Sequence, residues 1–329
     1  MNILVVGLGS MGKRRIRLLQ KYFQDTVVYG TDTSEERRQG AQEEFGLKTS
    51  PDMKTAFGQW KIDGVLVCTS PLYHYAIIME ALAAGKHVFT EINLLLEGYG
   101  EMIERAQEKN VKLFLSSTMN YRREIRYLQG EIQKQTGKLH YMYHVGQYLP
   151  DWHPWENYKN FFVGDKRTNG CREIMAIQLP WMIKTFGDVE SFKVLSGNLT
   201  TLEIDYPDSF LLMLQHKGGH AGVVCFDIVS RSASTRLEII GEQLHILWGG
   251  TPDSLKNLDI EGKAFQPISL YETIDKHSGY SANIIENAYV DELQAFFELV
   301  NKGSQPIYTF EDDRKTLTLI DSIESVSAL

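Results

Sequence analysis

The chain has 329 residues, 43% hydrophobic and 23% charged, which is enough for the cores of two ordinary domains and excludes a disordered or low-complexity protein. A formal net charge of −8 leaves no overall footprint for nucleic acid or an anionic membrane, so the expected partner is a small molecule. With no signal-peptide pattern, no apolar run of membrane-spanning length, and Cys68, Cys171 and Cys225 set far apart without metal-ligand spacing, the reading is a cytoplasmic protein with buried, reduced thiols and no metal.

The first half alternates strand and helix. An apolar run, Ile3 to Val6, passes through Gly7, Leu8, Gly9, Ser10, Met11 and Gly12 into an amphipathic segment. This is G-x-G-x-x-G between a strand and a helix. Its first glycine permits a tight turn, its second lets backbone approach a pyrophosphate, and its third lets the helix pack closely. A second strand, Thr26 to Gly30, leads to Asp32, placed about twenty residues on to meet the ribose hydroxyls, which favours NAD over NADP. Arg37 and Arg38 follow on a helix beginning at Ser34 and read as a solvated face.

The strand Gly64 to Cys68 then leads through Thr69 and Ser70 to a helix spanning Tyr73 to Ala84. Strands His87 to Thr90 and Lys112 to Ser116 continue a parallel series. Their C-terminal ends should bring Gly7 to Gly12, Thr69 to His74, Glu91 to Asn93 and Thr118 to Arg122 to one edge of the sheet. After Gly137 the pattern changes to longer strands: Leu139 to Gln147, Phe192 to Leu202, Ser209 to His216, Gly222 to Val229 and Arg236 to Trp248. Apolar residues on both faces of LLMLQH and GVVCFDIV call for a sheet covered by helices on one side and by a second subunit on the other. Among the strands, PDWHPWENY carries Asp151, Trp152, His153, Trp155, Glu156 and Tyr158, a mixture of rings and charges suited to a sugar. Those tryptophans equally serve to plug a domain junction. Arg172, Glu173 and Gln178 follow a loop at the start of another helix, where the dipole alone accounts for Glu173.

Together GLGSMG, CTSPLYH with His74, ALAAGKHVFTE ending on Glu91, NYRRE from Asn120 and the terminal YVDELQAFFELVNKGSQP resemble the glucose-fructose oxidoreductase, inositol dehydrogenase and rhizopine-catabolism group, Gfo/Idh/MocA, over nearly the whole chain. The resemblance implies an α/β protein: an N-terminal Rossmann parallel sheet in residues 1–120, and a C-terminal α+β domain in 121–329 built on a large, mostly antiparallel sheet. The final helices are free to pack back on the Rossmann domain. It also implies an NAD(H)-dependent oxidoreductase acting on a CH–OH group of a sugar, sugar acid or cyclitol, assembled as a homodimer or homotetramer through the antiparallel sheet. The cofactor would meet Gly7, Leu8, Gly9, Ser10, Met11, Gly12, Asp32, Thr69, Ser70, His74, Glu91 and Asn93. Substrate would meet Asn93, Tyr121, Arg122, Trp152, Arg172 and Gln178.

Two positions depart from the family. Its Glu-Lys-Pro stands here as Glu91-Ile92-Asn93, without the proton-handling lysine, and its Asp-x-x-x-His aligns with Glu173 and Ile177. An amide such as Asn93 can hold a hydroxyl but does not exchange its proton at neutral pH. His153 and Glu173, with Asp151 behind them, are therefore the expected acid or base. The alternatives are a non-catalytic NAD- and sugar-binding sensor, or a transient-redox lyase or glycosidase that takes its hydride back.

Overall fold

A computed structural model describes residues 1–154, 156–277 and 283–326; Trp155 of the aromatic loop lies outside the described residues. The chain divides into two compact units, the first formed by Met1–Ser117 with Tyr289–Arg314 and the second by Thr118–Ala288 with the chain from Lys315. The first break falls at 117 rather than at 120, and a late segment of the chain returns to the first unit.

The first unit runs β1 (Asn2–Val6), α1 (Ser10–Tyr22), β2 (Val27–Thr31), α2 (Glu35–Phe45), β3 (Lys48–Ser50), α3 (Met53–Gln59), β4 (Gly64–Val67), α4 (His74–Ala83), β5 (His87–Thr90), α5 (Tyr99–Glu108) and β6 (Leu113–Leu115). Its six strands are parallel in the order β3-β2-β1-β4-β5-β6. The direction of winding reverses between β1 and β4, which places a crevice at their C-terminal ends. Ile3, Leu4, Val5, Val65, Leu66 and Val67 are wholly buried, the continuous apolar run that helices on both faces of a parallel sheet require.

The second unit contains α6 (Arg123–Gln133), β7 (His140–Gly146), α7 (Gly170–Phe186), β8 (Val189–Gly197), β9 (Ser209–His216), β10 (Ala221–Asp227), β11 (Ser234–Gly241), β12 (Leu244–Trp248), β13 (Lys256–Asp259) and β14 (Ala264–Pro267). The strands form one sheet in the order β14-β13-β12-β11-β7-β10-β9-β8, antiparallel except for the central β7–β10 pair, which is parallel. Two late helices, α8 (Glu286–Lys302) and α9 (Phe310–Ser325), complete the chain. In the first unit, Phe296 of α8 sets its ring edge-on to Phe89 and Phe114 at 5.7 and 5.9 Å.

In the second unit α7 covers one face of the sheet, where Phe186 stacks on Tyr141 at 4.2 Å and Trp181 meets Tyr143 edge-on at 5.4 Å. The opposite face presents Met142, Leu211, Met213 and Val223, with Met213 and Val223 59% and 50% exposed. Two expected strands change their limits. The run expected at 192–202 ends at Gly197, because the Asp208 carboxylate gathers the Leu199 and Thr200 N–H groups and the Thr200 hydroxyl into a loop. The run expected at 236–248 is two strands joined by a two-residue turn at Glu242 and Gln243. Cys68 and Cys171 are buried as expected, whereas Cys225 lies partly exposed on the open face.

Candidate functional site

The glycine-rich turn is built for close packing on two sides and left open on the third. Gly7 has φ +93°, and a Cβ there would sit 2.8 Å from the Cys68 carbonyl oxygen. A Cβ on Gly12 would lie 1.9 Å from the Gly7 carbonyl oxygen, so α1 can approach β1 only without one. A Cβ on Gly9 meets nothing within 4 Å. Packing inside the protein does not require glycine at position 9, but a ligand approaching the backbone does. Gly9 is also the N-cap of α1, which carries no side-chain cap and no acid in its first turn. Its first N–H groups are therefore available to an anion at the positive end of the helix dipole.

Asp32 stands at the end of β2, where its Oδ2 accepts the Leu8 N–H at 2.8 Å and its Oδ1 accepts the Ser34 N–H at 2.9 Å. Each oxygen keeps a lone pair for a further donor, the requirement for a ribose diol. Arg37 is exposed, with its guanidinium 3.8 Å from Asp32 Oδ2. Arg38 is not a solvated residue, because its Nη1 donates to the Asp32 and Thr33 carbonyls at 2.7 and 3.0 Å and so fixes the same turn.

At the ends of β4 and β5 a buried hydrogen-bond chain joins the remaining residues of this unit. His74 Nε2 lies 3.0 Å from the Thr69 carbonyl, and its Nδ1 lies 2.7 Å from Asn93 Oδ1. Asn93 Nδ2 donates to the Tyr99 hydroxyl, which donates in turn to Asp313. Burial lowers the His74 pKa, against the opposing pull of the Asn93 hydrogen bond. The neutral ring has one N–H, so it serves only one of the two carbonyls at a time. Ser70 Oγ accepts the Leu72 N–H of the following turn.

Glu91 faces inward, to Arg15. Its Oε1 accepts from Arg15 Nε at 2.6 Å and its Oε2 from Nη2 at 3.1 Å, while Arg15 Nη2 also donates to Glu292 at 2.6 Å. The Arg15 side chain is fully buried. Burial works against its charge, but Glu91 and Glu292 outweigh that penalty and push its pKa above the ordinary value. Arg15 drew no attention in the sequence, and Glu292 none beyond its place in YVDELQAFFELVNKGSQP, since they stand 76 and 201 residues from Glu91 and nothing local pairs them with it. Tyr99 and Asp313 escaped for the same reason.

In the second unit Glu173 and Ile177 occupy successive turns of one face of α7. The helix is started by Asn169, whose Oδ1 accepts the Arg172 N–H at 2.7 Å. Although Glu173 is only partly buried as a residue, its Oε2 is shut from solvent and has no hydrogen-bond partner. Burial pushes its pKa up from 4.5 to about 7 and so favours the protonated carboxyl. The other expected residues already have partners. Arg172 pairs with Asp321 and Glu324, and Gln178 Oε1 accepts from Tyr143 and Trp181. Arg122 pairs with Glu124 at 2.6 Å, and Tyr121 is buried under the Arg126 guanidinium. His153 is half-buried, with Nδ1 2.9 Å from Glu156 and its ring 4.6 Å from Phe161. Asp151 is exposed, and Trp152 Nε1 donates to the Gln147 carbonyl.

No helix among the described residues is long and apolar enough to cross a membrane. Residues 1–117 match the family model GFO_IDH_MocA, described as an oxidoreductase family with an NAD-binding Rossmann fold. Myo-inositol 2-dehydrogenase of Thermotoga maritima is 24% identical over 334 residues, covering 97% of this chain and 94% of that protein. Among solved structures, levoglucosan dehydrogenase in complex with NADH superposes with a TM-score of 0.81 at 17% identity, covering 98% of this chain and 95% of that one. A candidate NADPH-dependent oxidoreductase from Desulfitobacterium hafniense superposes with a TM-score of 0.82 at 10% identity, covering 98% and 94%. At such identities these superpositions establish the fold.

Proposed function

We propose that the chain, whose residues 1–117 match the Gfo/Idh/MocA family model, is a member of that family of NAD-binding oxidoreductases and transfers hydride between NAD(H) and a carbinol carbon of a sugar, sugar acid or cyclitol. The observation that carries this reading is Glu173, a carboxyl with an unpartnered buried oxygen and a pKa near 7. Oxidation of a carbinol requires a base for its hydroxyl proton, and reduction requires an acid. A group that titrates near the working pH performs either role, and Ile92 and Ile177 perform neither.

The roles then distribute as follows. Gly7 to Gly12 and the start of α1 hold the pyrophosphate, and Asp32 holds the ribose diol. When bound, the nicotinamide accepts or donates the hydride. Thr69, Ser70, His74 and Asn93 border the cofactor, with Glu91 holding their strand end in place through Arg15. Glu173 handles the proton, assisted by His153 and Asp151, and Asn93, Tyr121, Arg122, Trp152, Arg172 and Gln178 border the substrate. The substrate class is supported by the inositol dehydrogenase of Thermotoga maritima, which aligns along nearly the whole chain. Self-association through the open face of the second unit's sheet is part of the same proposal, supported by the exposed Met142, Leu211, Met213 and Val223. Cytoplasmic residence is proposed with it.

The test is calorimetric titration with NAD, followed by absorbance at the nicotinamide band across a panel of cyclitols, aldoses and sugar acids. Accumulation of NADH with one class establishes the reaction. Tight NAD binding with no NADH from any member replaces it with the sensor reading, and product without net NADH replaces it with transient redox.

A further inference from the structure

A second group of chemistry-bearing residues lies on the open face of the second unit's sheet. β7 and β10 are parallel neighbours, and their register sets His144 beside Cys225. Side chains two apart on a strand share a face, so Asp227 joins Cys225 on that side. The candidate donor atoms of His144, Cys225 and Asp227 all lie within 4.8 Å of one another. His144 Nε2 is 2.7 Å from Asp227 Oδ2, and Cys225 Sγ is 3.7 Å from the same oxygen.

Asp227 is held ready for this position. Its Oδ1 accepts the Val229 and Ser230 N–H groups at 3.0 and 2.8 Å, which fixes the carboxylate against the turn that follows β10. Its Oδ2 faces His144, Cys225 and the Ser230 hydroxyl, the last at 3.1 Å. We propose that His144, Cys225 and Asp227 form a binding site for a divalent transition metal of the zinc class, with a fourth position left to water. One imidazole, one thiolate and one carboxylate are borderline to soft donors that suit zinc, whereas calcium and magnesium take oxygen ligands.

The charges balance. Cys225 is a free cysteine, with its Sγ 3.7 Å from Asp227 Oδ2. The Asp227 carboxylate is oriented by the Ser230 hydroxyl and the turn amides. Metal binding exchanges the Cys225 S–H bond for a sulfur–metal bond and releases that proton to solvent, while the His144 ring proton passes from Nε2, which faces Asp227, to Nδ1 and leaves Nε2 to the ion. A dication with one thiolate and one carboxylate is neutral. It therefore places no net charge beside the exposed Arg236, which stands opposite His144 in the β7–β11 register. The Cys225 spacing carried no such signal in the sequence because His144 comes from a strand 81 residues earlier.

The test is titration of the metal-stripped full-length chain with Co²⁺, at a protein concentration where sedimentation shows a single assembly state. The expected result is one ion per chain, with tetrahedral visible absorption, a near-ultraviolet thiolate-to-cobalt band, one proton released and displacement by Zn²⁺. Cys225→Ser should abolish the near-ultraviolet band, and His144→Gln should weaken binding by at least tenfold. Ser230→Ala, which removes a hydrogen-bond partner shared by the ligands Asp227 and His144, should weaken it by about tenfold. NAD affinity and circular dichroism confirm that each variant is folded; Asp227 is left unchanged because it also anchors the turn. Absence of cobalt binding, or a band of undiminished strength in folded Cys225→Ser, would overturn the site.

Discussion

The C-terminal end of β5 and the first turn of α7 each carry a glutamate, and the fold treats the two in opposite ways. Glu91 is held by a bidentate guanidinium whose Nη2 also serves Glu292. Glu173 has an oxygen sealed from water with nothing to bond. Buried ion pairs with complete partners hold elements in register, whereas an orphaned acid costs stability and is retained where a proton must move. Asp32 lies between these extremes, with one N–H on each oxygen and capacity to spare. Under the proposed function this contrast would separate residues that hold the site from those that do its chemistry, and each carboxylate can be tested accordingly.

The largest expected effect belongs to Glu173→Gln. Loss of a positioned acid or base should lower turnover by roughly 10²- to 10⁴-fold with NAD affinity unchanged. Stability should move the other way. The folded pKa of about 7 exceeds the ordinary 4.5, so this carboxyl's contribution is fully present below pH 4.5 and is lost as pH rises through 7. The amide stays neutral throughout. The variant should match the parent in urea denaturation at pH 4 and exceed it at pH 8 by no more than about 3 kcal/mol. A variant less stable at pH 8, or one that keeps full turnover, would place Glu173 among the structural residues.

Arg15→Met is the converse test. It leaves Glu91 and Glu292 buried without their cation and should cost about 3–5 kcal/mol in urea denaturation, with no gain at any pH above 5. If instead the loss is below 1 kcal/mol, water reaches the network and the two glutamates are less different than their geometry implies.

This division was only half legible in the sequence. The first unit could be read because each of its signals is local: buried parallel strands are short apolar runs, and the glycine turn and Asp32 keep a fixed spacing. β3 and α3 were missed because KTS is short and polar and belongs to neither pattern. In the second unit the turn at Glu242 and Gln243 lacks the Asn-Gly or Asp-Gly that marks a two-residue hairpin, so β11 and β12 read as one strand. Glu173 was found by its alignment with the Asp-x-x-x-His of the family it resembles, but nothing in the sequence says that its Oε2 lacks a partner. The Arg15 network was invisible because its members meet only through tertiary packing.

Smaller effects should separate the glycines. Gly12→Ala drives a methyl into the Gly7 carbonyl and should cost about 1–3 kcal/mol in thermal or urea unfolding. Gly9→Ala meets open space at an ordinary φ of −75° and should leave stability unchanged while weakening NAD by roughly tenfold, about 1.4 kcal/mol. Equal destabilisation by the two would mean that Gly9 serves packing and not a ligand.

The smallest effect is expected at Asp32, the carboxylate between the two extremes. Asp32→Ala removes the acceptor of a ribose diol, and it also removes the charge that repels a 2′-phosphate and frees the exposed Arg37, 3.8 Å away, to meet one. Loss of the diol partner weakens NAD, but only modestly, because the carboxylate already shares its charge with the Leu8 and Ser34 amides and an exposed arginine. NADP should gain by a similar margin, for an exposed Arg37 adds no more than about 1 kcal/mol. The ratio of NAD to NADP affinity should therefore fall by roughly tenfold, the product of two several-fold changes, as read by calorimetry at fixed ionic strength. A ratio that does not move would show that Asp32 is spent on the backbone of its own turn, which would class it with Glu91 as a residue that holds the site and leave cofactor choice to another group.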